Sequence, residues 1–252
     1  MNIDQILERE VPNTREQAGS PEWFAQRVGK ATGSGFSNFI RKPAVGRAAG
    51  SDRTSAPIPK FKKDYRRKKL VEMITGKCYE EDVNPMEKRR MAHGTMYEDP
   101  AIEKFCEVYG MTTMKVGAIR PDSDEPWADR FLVSPDAIVI SGPDIDPENL
   151  PVVEVKNMGY LNHLSVLETG RCPEGYYPQV QAEILVTGAP YAYFISYHPF
   201  MPEDYRMMVC RVERDQNYID EELIKGTISF LADLDRSIIK VNSNLGLDVC
   251  PF

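Results

Sequence analysis

The chain has 252 residues, 42% of them apolar and 27% charged, and a formal net charge of −7. That is enough apolar material for a substantial core, and no linker-like stretch divides it, so one α/β domain over 1–252 is expected. Five cysteines, at 78, 106, 172, 210 and 250, are odd in number and far apart, with no Cys-x-x-Cys pair; this argues against a disulfide framework or a zinc or iron–sulfur site and suits a reducing cytoplasm. No apolar run is long enough to span a membrane, and the charged N-terminus (Asp4, Glu8, Arg9, Glu10) does not read as a signal peptide.

In chain order, helices are expected over 21–28 and 33–41, the second capped by Thr32 or Gly33. From Arg41 to Lys69 the chain carries eleven basic residues against Asp52 and Asp64, a local +9 that leaves −16 for the remainder. Such asymmetry suits a phosphate-binding edge on an acidic body that limits indiscriminate binding. A charge run is also what a solvated face looks like. The interleaved Pro57, Pro59, Phe61 and Tyr65 favour DNA contact, because they offer apolar groups to bases. Phe61 is the candidate wedge for opening terminal base pairs, and Lys62, Lys63, Arg66 and Arg67 are candidate phosphate contacts.

A helix is expected over 63–75, ended by Gly76, and a long one over 84–109. In the long helix Met91, Glu98, Ile102 and Phe105 share one stripe. Glu98 thus interrupts an apolar face. Either it lies at the stripe's edge and reaches water, or it is buried and compensated, most strongly by a metal ion. His93 points about 140° away from Glu98 on the same helix, which reads as structural or solvent-facing, with a supporting role near the metal as the lesser alternative.

Strands are expected over 113–119, 131–140, 152–156, 191–197 and 205–212, and helices over 160–168, 175–186 and 216–239. Strands in the middle with helices at both ends describe a mixed sheet covered on its faces. Asp136 falls in the second strand, bent at Pro135, which cannot donate to a ladder. Over 152–156 the period of two puts Val153 and Val155 on one face, to anchor in a core, and Glu154 and Lys156 on the other, presenting a carboxylate beside an ammonium roughly 7 Å along the chain. If the two strands pair antiparallel, Asp136 and Glu154 converge on one ion. Two hard carboxylates suit Mg²⁺ or Mn²⁺ rather than zinc. Ser134-Pro135-Asp136 followed by Glu154-Val155-Lys156 therefore suggests a divalent-metal nuclease centre, although the same residues could form a surface ion pair on an ordinary hairpin.

Together the motifs resemble the lambda-exonuclease type of YqaJ-like viral recombinases, within the PD-(D/E)XK nuclease superfamily. The resemblance rests on Glu22-Trp23 with Arg27 and Gly29, Thr32-Gly33-Ser34, Gly94 with Glu98, Ser134-Pro135-Asp136, Glu154-Val155-Lys156 and Gln179-Val180-Gln181, in family order from 22 to about 213. The chain departs at Ala137, where the family often has glycine, and at His93, which is not a usual ligand there. Neither change touches a proposed metal oxygen.

The resemblance implies a restriction-endonuclease-like α/β core. It also implies Asp136, Glu154 and the Val155 backbone carbonyl as principal metal ligands, Glu98 serving a second ion, and Lys156 orienting or deprotonating the attacking water. Two Mg²⁺ ions, with Mn²⁺ able to substitute, would stabilise the entering and leaving oxygens of an in-line displacement. Arg27, Ser34, Ser134 and Gln179 resemble the family's pocket for a terminal 5′-phosphate, a guanidinium fork with hydroxyl and amide donors. On residues alone, Arg27 reads as a salt bridge and Gln179 as a helix-surface amide.

The implied activity is a 5′→3′ exonuclease on linear duplex DNA, releasing 5′-mononucleotides and leaving 3′ single strands for recombination. A ring-shaped homotrimer and a single-strand annealing partner are implied with it. A restriction or junction-resolving endonuclease would share the metal triad, and a catalytically silent DNA-binding module would keep only the basic segment. An ATP-driven helicase-nuclease is disfavoured, since Gly29-Lys30 leads to Ala31 and Gly76-Lys77 to Cys78 rather than to Ser or Thr.

Overall fold

The structure, a computed structural model, describes residues 1–12, 14, 21–40, 60–78 and 85–247, with the backbone alone for 21–22, 60–63 and 85–95. The basic residues 41–59 lie outside the described residues, as do the side chains of Phe61, Lys62, Lys63 and His93.

In chain order the elements are α1 (Ile3–Leu7), α2 (Pro21–Ala25), β1 (Ala31–Thr32), a 3₁₀ helix (Gly33–Asn38), α3 (Lys60–Thr75), α4 (Pro85–Tyr109), β2 (Thr112–Met114), β3 (Phe131–Leu132) and β4 (Ala137–Ser141). There follow β5 (Val152–Asn157), α5 (Tyr160–Thr169), α6 (Tyr177–Thr187), β6 (Tyr191–Tyr197), β7 (Met207–Glu213), α7 (Gln216–Tyr218), a π-helical stretch (Ile219–Ile224) and α8 (Lys225–Leu245). The main sheet has the order β2-β4-β5-β6-β7, antiparallel throughout except for the parallel pair β5 and β6. The mixed sheet flanked by helices is the architecture expected from the sequence.

Alternation along β5 and β6 feeds two cores. Val153, Val155 and Ile195 pack with Ala101, Ile102 and Phe105 of α4, while Val152 and Phe194 pack with Val180 and Ile184 of α6. Each such buried valine, isoleucine or phenylalanine contributes about 1.5–3 kcal/mol relative to exposure. Helix α6 begins with proline in its first turn and ends at Gly188, whose φ of +67° allows the left-handed stop.

Several expectations need correction. The single bent strand over 131–140 is two strands in different sheets: β3 pairs parallel with β1 and β4 joins the main sheet, because the ladder breaks at Pro135, which has no N–H. The strand over 113–119 shortens to β2, since further along the Gly117 N–H donates to the Glu10 carboxylate. The helix over 33–41 is the 3₁₀ turn, pressed so closely under Tyr65 that a Cβ on Gly35 would overlap the phenol. Finally, the Glu154 face of β5 is not presented to water. Helix α6 covers it, and Glu154 is 1% exposed.

Candidate active site

Antiparallel pairing of β4 and β5 brings the two motif strands together, with Ala137 opposite Val153. Asp136 enters β4 with its N–H donated to the Val153 carbonyl at 3.1 Å, and its Oδ2 accepts the Val155 N–H at 2.6 Å. Glu154 points under α6, where its Oε1 accepts from Gln179 Nε2 at 2.6 Å and pairs with the Lys156 ammonium. The same Gln179 nitrogen donates to Glu183 Oε1 at 2.9 Å. One amide thus spans two buried carboxylates, and the remaining oxygens, Glu154 Oε2 and Glu183 Oε2, are buried with no hydrogen-bond partner among the described residues. Gln179 is buried, not on the helix surface.

Charge is concentrated here. Burial, then repulsion from Glu154, holds Asp136 well above the usual carboxylate range. Glu183 is raised for the same two reasons in the same order. Burial alone would depress the Lys156 ammonium, but Glu154 and Asp136 outweigh it and push its pKa up. Lys156 also lies 5.5 Å from the Tyr176 ring.

Glu98 stands on α4, which packs against the opposite face of β5. It is half-buried, 3.7 Å from Lys115, and burial raises its pKa, opposed chiefly by Lys115. It feels Glu154 and Lys156 electrostatically, but among the described residues no three acidic, histidine or cysteine side chains stand close enough to hold an ion.

Beside the carboxylates lies a second group. The Arg27 guanidinium donates to Ser134 Oγ at 3.1 Å and stacks over Trp23 at 4.1 Å. Burial lowers its pKa to about 10. Ser134 is two residues before Asp136, and Gly33, next to exposed Ser34, lies against Gln179 and Glu183. Arg27, Ser134, Gln179 and the turn carrying Ser34 therefore border the carboxylate site. On α3, Arg67 is exposed with Asp64 at 3.9 Å and Arg66 is half-buried. Lys69 departs from the basic run: it is buried in an ion pair with Glu72 at 2.7 Å.

Sequence reasoning missed Glu183, Lys115 and the Lys69–Glu72 pair. The signal for Glu183 was present, since it lies four residues after Gln179 and so on the same helical face.

Residues 22–190 match the YqaJ-like viral recombinase domain. The chain belongs to this family. No curated protein matches it. Among solved structures, this YqaJ-like chain is similar to an alkaline exonuclease (LHK-Exo) from Laribacter hongkongensis, at 25% identity and a TM-score of 0.69, over 89% of this chain and 97% of that one. The same enzyme in complex with dAMP is similar at 24% identity and a TM-score of 0.69, over the same shares. A phage related exonuclease from Haemophilus somnus 129PT has 14% identity and a TM-score of 0.52 over 84% of this chain and 95% of its own, a likeness of fold. The YqaJ-like chain has the PD-(D/E)XK, restriction-endonuclease-like fold. Among the described residues no helix is long and apolar enough to cross a membrane.

Proposed function

We propose that the protein is a Mg²⁺-dependent 5′→3′ exonuclease on linear duplex DNA, with Asp136, Glu154, Lys156 and Glu98 as its catalytic residues. The observation that carries this reading is adjacency. Arg27, a half-buried cation whose guanidinium donates one hydrogen bond among the described residues, is joined through Ser134 to the segment that delivers Asp136. An arginine with spare donors fits a terminal phosphate dianion.

The donor set fits a hard divalent ion: Asp136, Glu154 and the Val155 carbonyl would hold one, and Glu98 would serve a second. The orphaned Glu154 Oε2 supports that fit. When bound, two such ions stabilise the charge on the entering and leaving oxygens of phosphodiester hydrolysis, and Mn²⁺ would substitute. The chain's own residues do the rest. Lys156 orients the attacking water by donating to it. Asp136, fastened to Val155, keeps β4 and β5 in register, and Gln179 fixes the Glu154 carboxylate. Arg27, Ser34, Ser134 and Gln179 hold the 5′-phosphate, while Phe61, Lys62, Lys63, Arg66 and Arg67 engage the duplex. On family grounds the working form is a homotrimeric ring in the cytoplasm, acting with a single-strand annealing protein.

Product analysis tests this reading. Duplex labelled internally on one strand should release 5′-mononucleotides in Mg²⁺ and leave the complementary 3′ strand intact; release of internal oligonucleotides would overturn it.

A further inference from the structure

Both residues of the Lys69–Glu72 pair are 6% exposed. Burying two charges forfeits their hydration, and apolar residues of like volume commonly serve stability as well. Its use lies in what it holds. Lys69 Nζ donates to Glu72 Oε2 at 2.7 Å and to the Arg27 carbonyl at 3.4 Å, and Glu72 Oε2 accepts the Gly29 N–H at 3.3 Å. Gly29 turns the chain at φ +64°, with Met73 of α3 against it, 2.8 Å from where a Cβ would stand. Arg130, paired with Asp235 of α8, donates to the Gly29 carbonyl at 3.5 Å. The turn is thus gripped on both sides of Val28, and its first residue sends the guanidinium to Ser134. The gripping helix also presents Arg67 and Lys68 on its exposed side.

We propose that Lys69 and Glu72 are positioning residues for end recognition: α3 sets the Arg27 guanidinium where a terminal 5′-phosphate meets it, so that seating the duplex along α3 and reading its end are one act. This rests on the 5′-phosphate reading of Arg27. The pair acts through backbone atoms of the turn and does not touch DNA itself.

The test is Lys69→Met/Glu72→Gln, which removes both charges and keeps an acceptor for the Gly29 N–H. Initial rates at saturating DNA are compared on linear duplexes ending in 5′-phosphate or 5′-hydroxyl. The phosphate-to-hydroxyl ratio should fall at least tenfold towards one, while the rate on hydroxyl ends stays within about twofold and thermal unfolding remains cooperative. A merely structural role would lower both rates together, and an unchanged ratio in the folded variant overturns the proposal. Should the double variant fail to fold, Glu72→Asp, which keeps the charge and draws the carboxylate back by one methylene, is read in the same way. A wild-type ratio near one would overturn the 5′-phosphate reading and this inference with it, whereas a clear wild-type preference that both variants retain would overturn this inference alone.

Discussion

Asp136 accepts the backbone N–H of Val155 at 2.6 Å, so the carboxylate of one strand is fastened to its neighbour beside Glu154. The bond compensates part of the cost of burying Asp136 and sets the spacing of the two acids. Asp136→Ala, Glu154→Ala and Lys156→Ala should each abolish hydrolysis while DNA binding stays measurable, because these groups serve the chemistry more than the docking. Glu98→Ala should be severe but leakier, and partly restored by Mn²⁺. Near-normal turnover in any two of the first three variants contradicts the site, and a wild-type rate in Mg²⁺ for Glu98→Ala removes its role as a ligand.

Glu183 yields a prediction about stability. Burial holds its folded pKa above the ordinary carboxylate range, so its contribution is fully present at low pH and is lost as pH rises through the folded value. In chelator, Glu183→Gln should match wild type in acid and exceed it at neutral and alkaline pH. The gain should be on the order of 1–3 kcal/mol, the cost of one unpaired buried polar group. Asp136 has a shift of the same sign, so the pH slope should shrink without vanishing. Thermal melts across pH provide the check; a variant less stable than wild type at alkaline pH would show that Glu183 carries a favourable charge.

The strands β5, β6 and β7 and the long helices were legible in the sequence, because period-two and period-3.6 patterns decide what a core can accept, whereas the break at Pro135 and the early end of β2 were not. The alternation over 191–197 coincides with β6 to its ends, and the helical pattern over 84–109 with α4 to within a residue. Asp136, Glu154 and Lys156 were legible for a similar reason, since the order of acids on paired strands limits where they meet. Burial by a distant element was not. Nothing local in Val152–Asn157 says that α6 lies over Glu154, and nothing in the basic run marks Lys69 as the residue that turns inward to Glu72. Those facts depend on contacts between segments far apart in the chain.

Arg27 should read the end. Wild type should prefer 5′-phosphate over 5′-hydroxyl ends, and Arg27→Ala should lose that preference together with processivity. Losing one charge-assisted contact costs about 1.5–3 kcal/mol, tenfold or more in rate or affinity. Single-turnover rates on the two ends measure it. An absence of preference in wild type defeats the pocket while leaving the nuclease centre standing.

The basic segment divides into two roles. Phe61→Ala should slow degradation of fully paired duplex much more than of a duplex with a frayed 5′ end, since fraying supplies the unpairing in advance. Neutralising Lys62, Lys63, Arg66 and Arg67 should weaken binding to both and flatten its salt dependence. Equal losses on both substrates would make Phe61 a packing residue, and an unchanged salt slope would return the four cations to a solvated face.

The central claim, metal-dependent attack from a phosphorylated end, is tested most directly by one comparison of DNA substrates. Linear duplex with 5′-phosphate, linear duplex with 5′-hydroxyl and a covalently closed circle are each incubated with the protein in Mg²⁺ and in chelator. The phosphorylated linear duplex should be degraded fastest, the hydroxyl-ended one about tenfold or more slowly, and the circle not at all, with no degradation in chelator. Cleavage of the closed circle, or degradation that persists in chelator, would contradict the account.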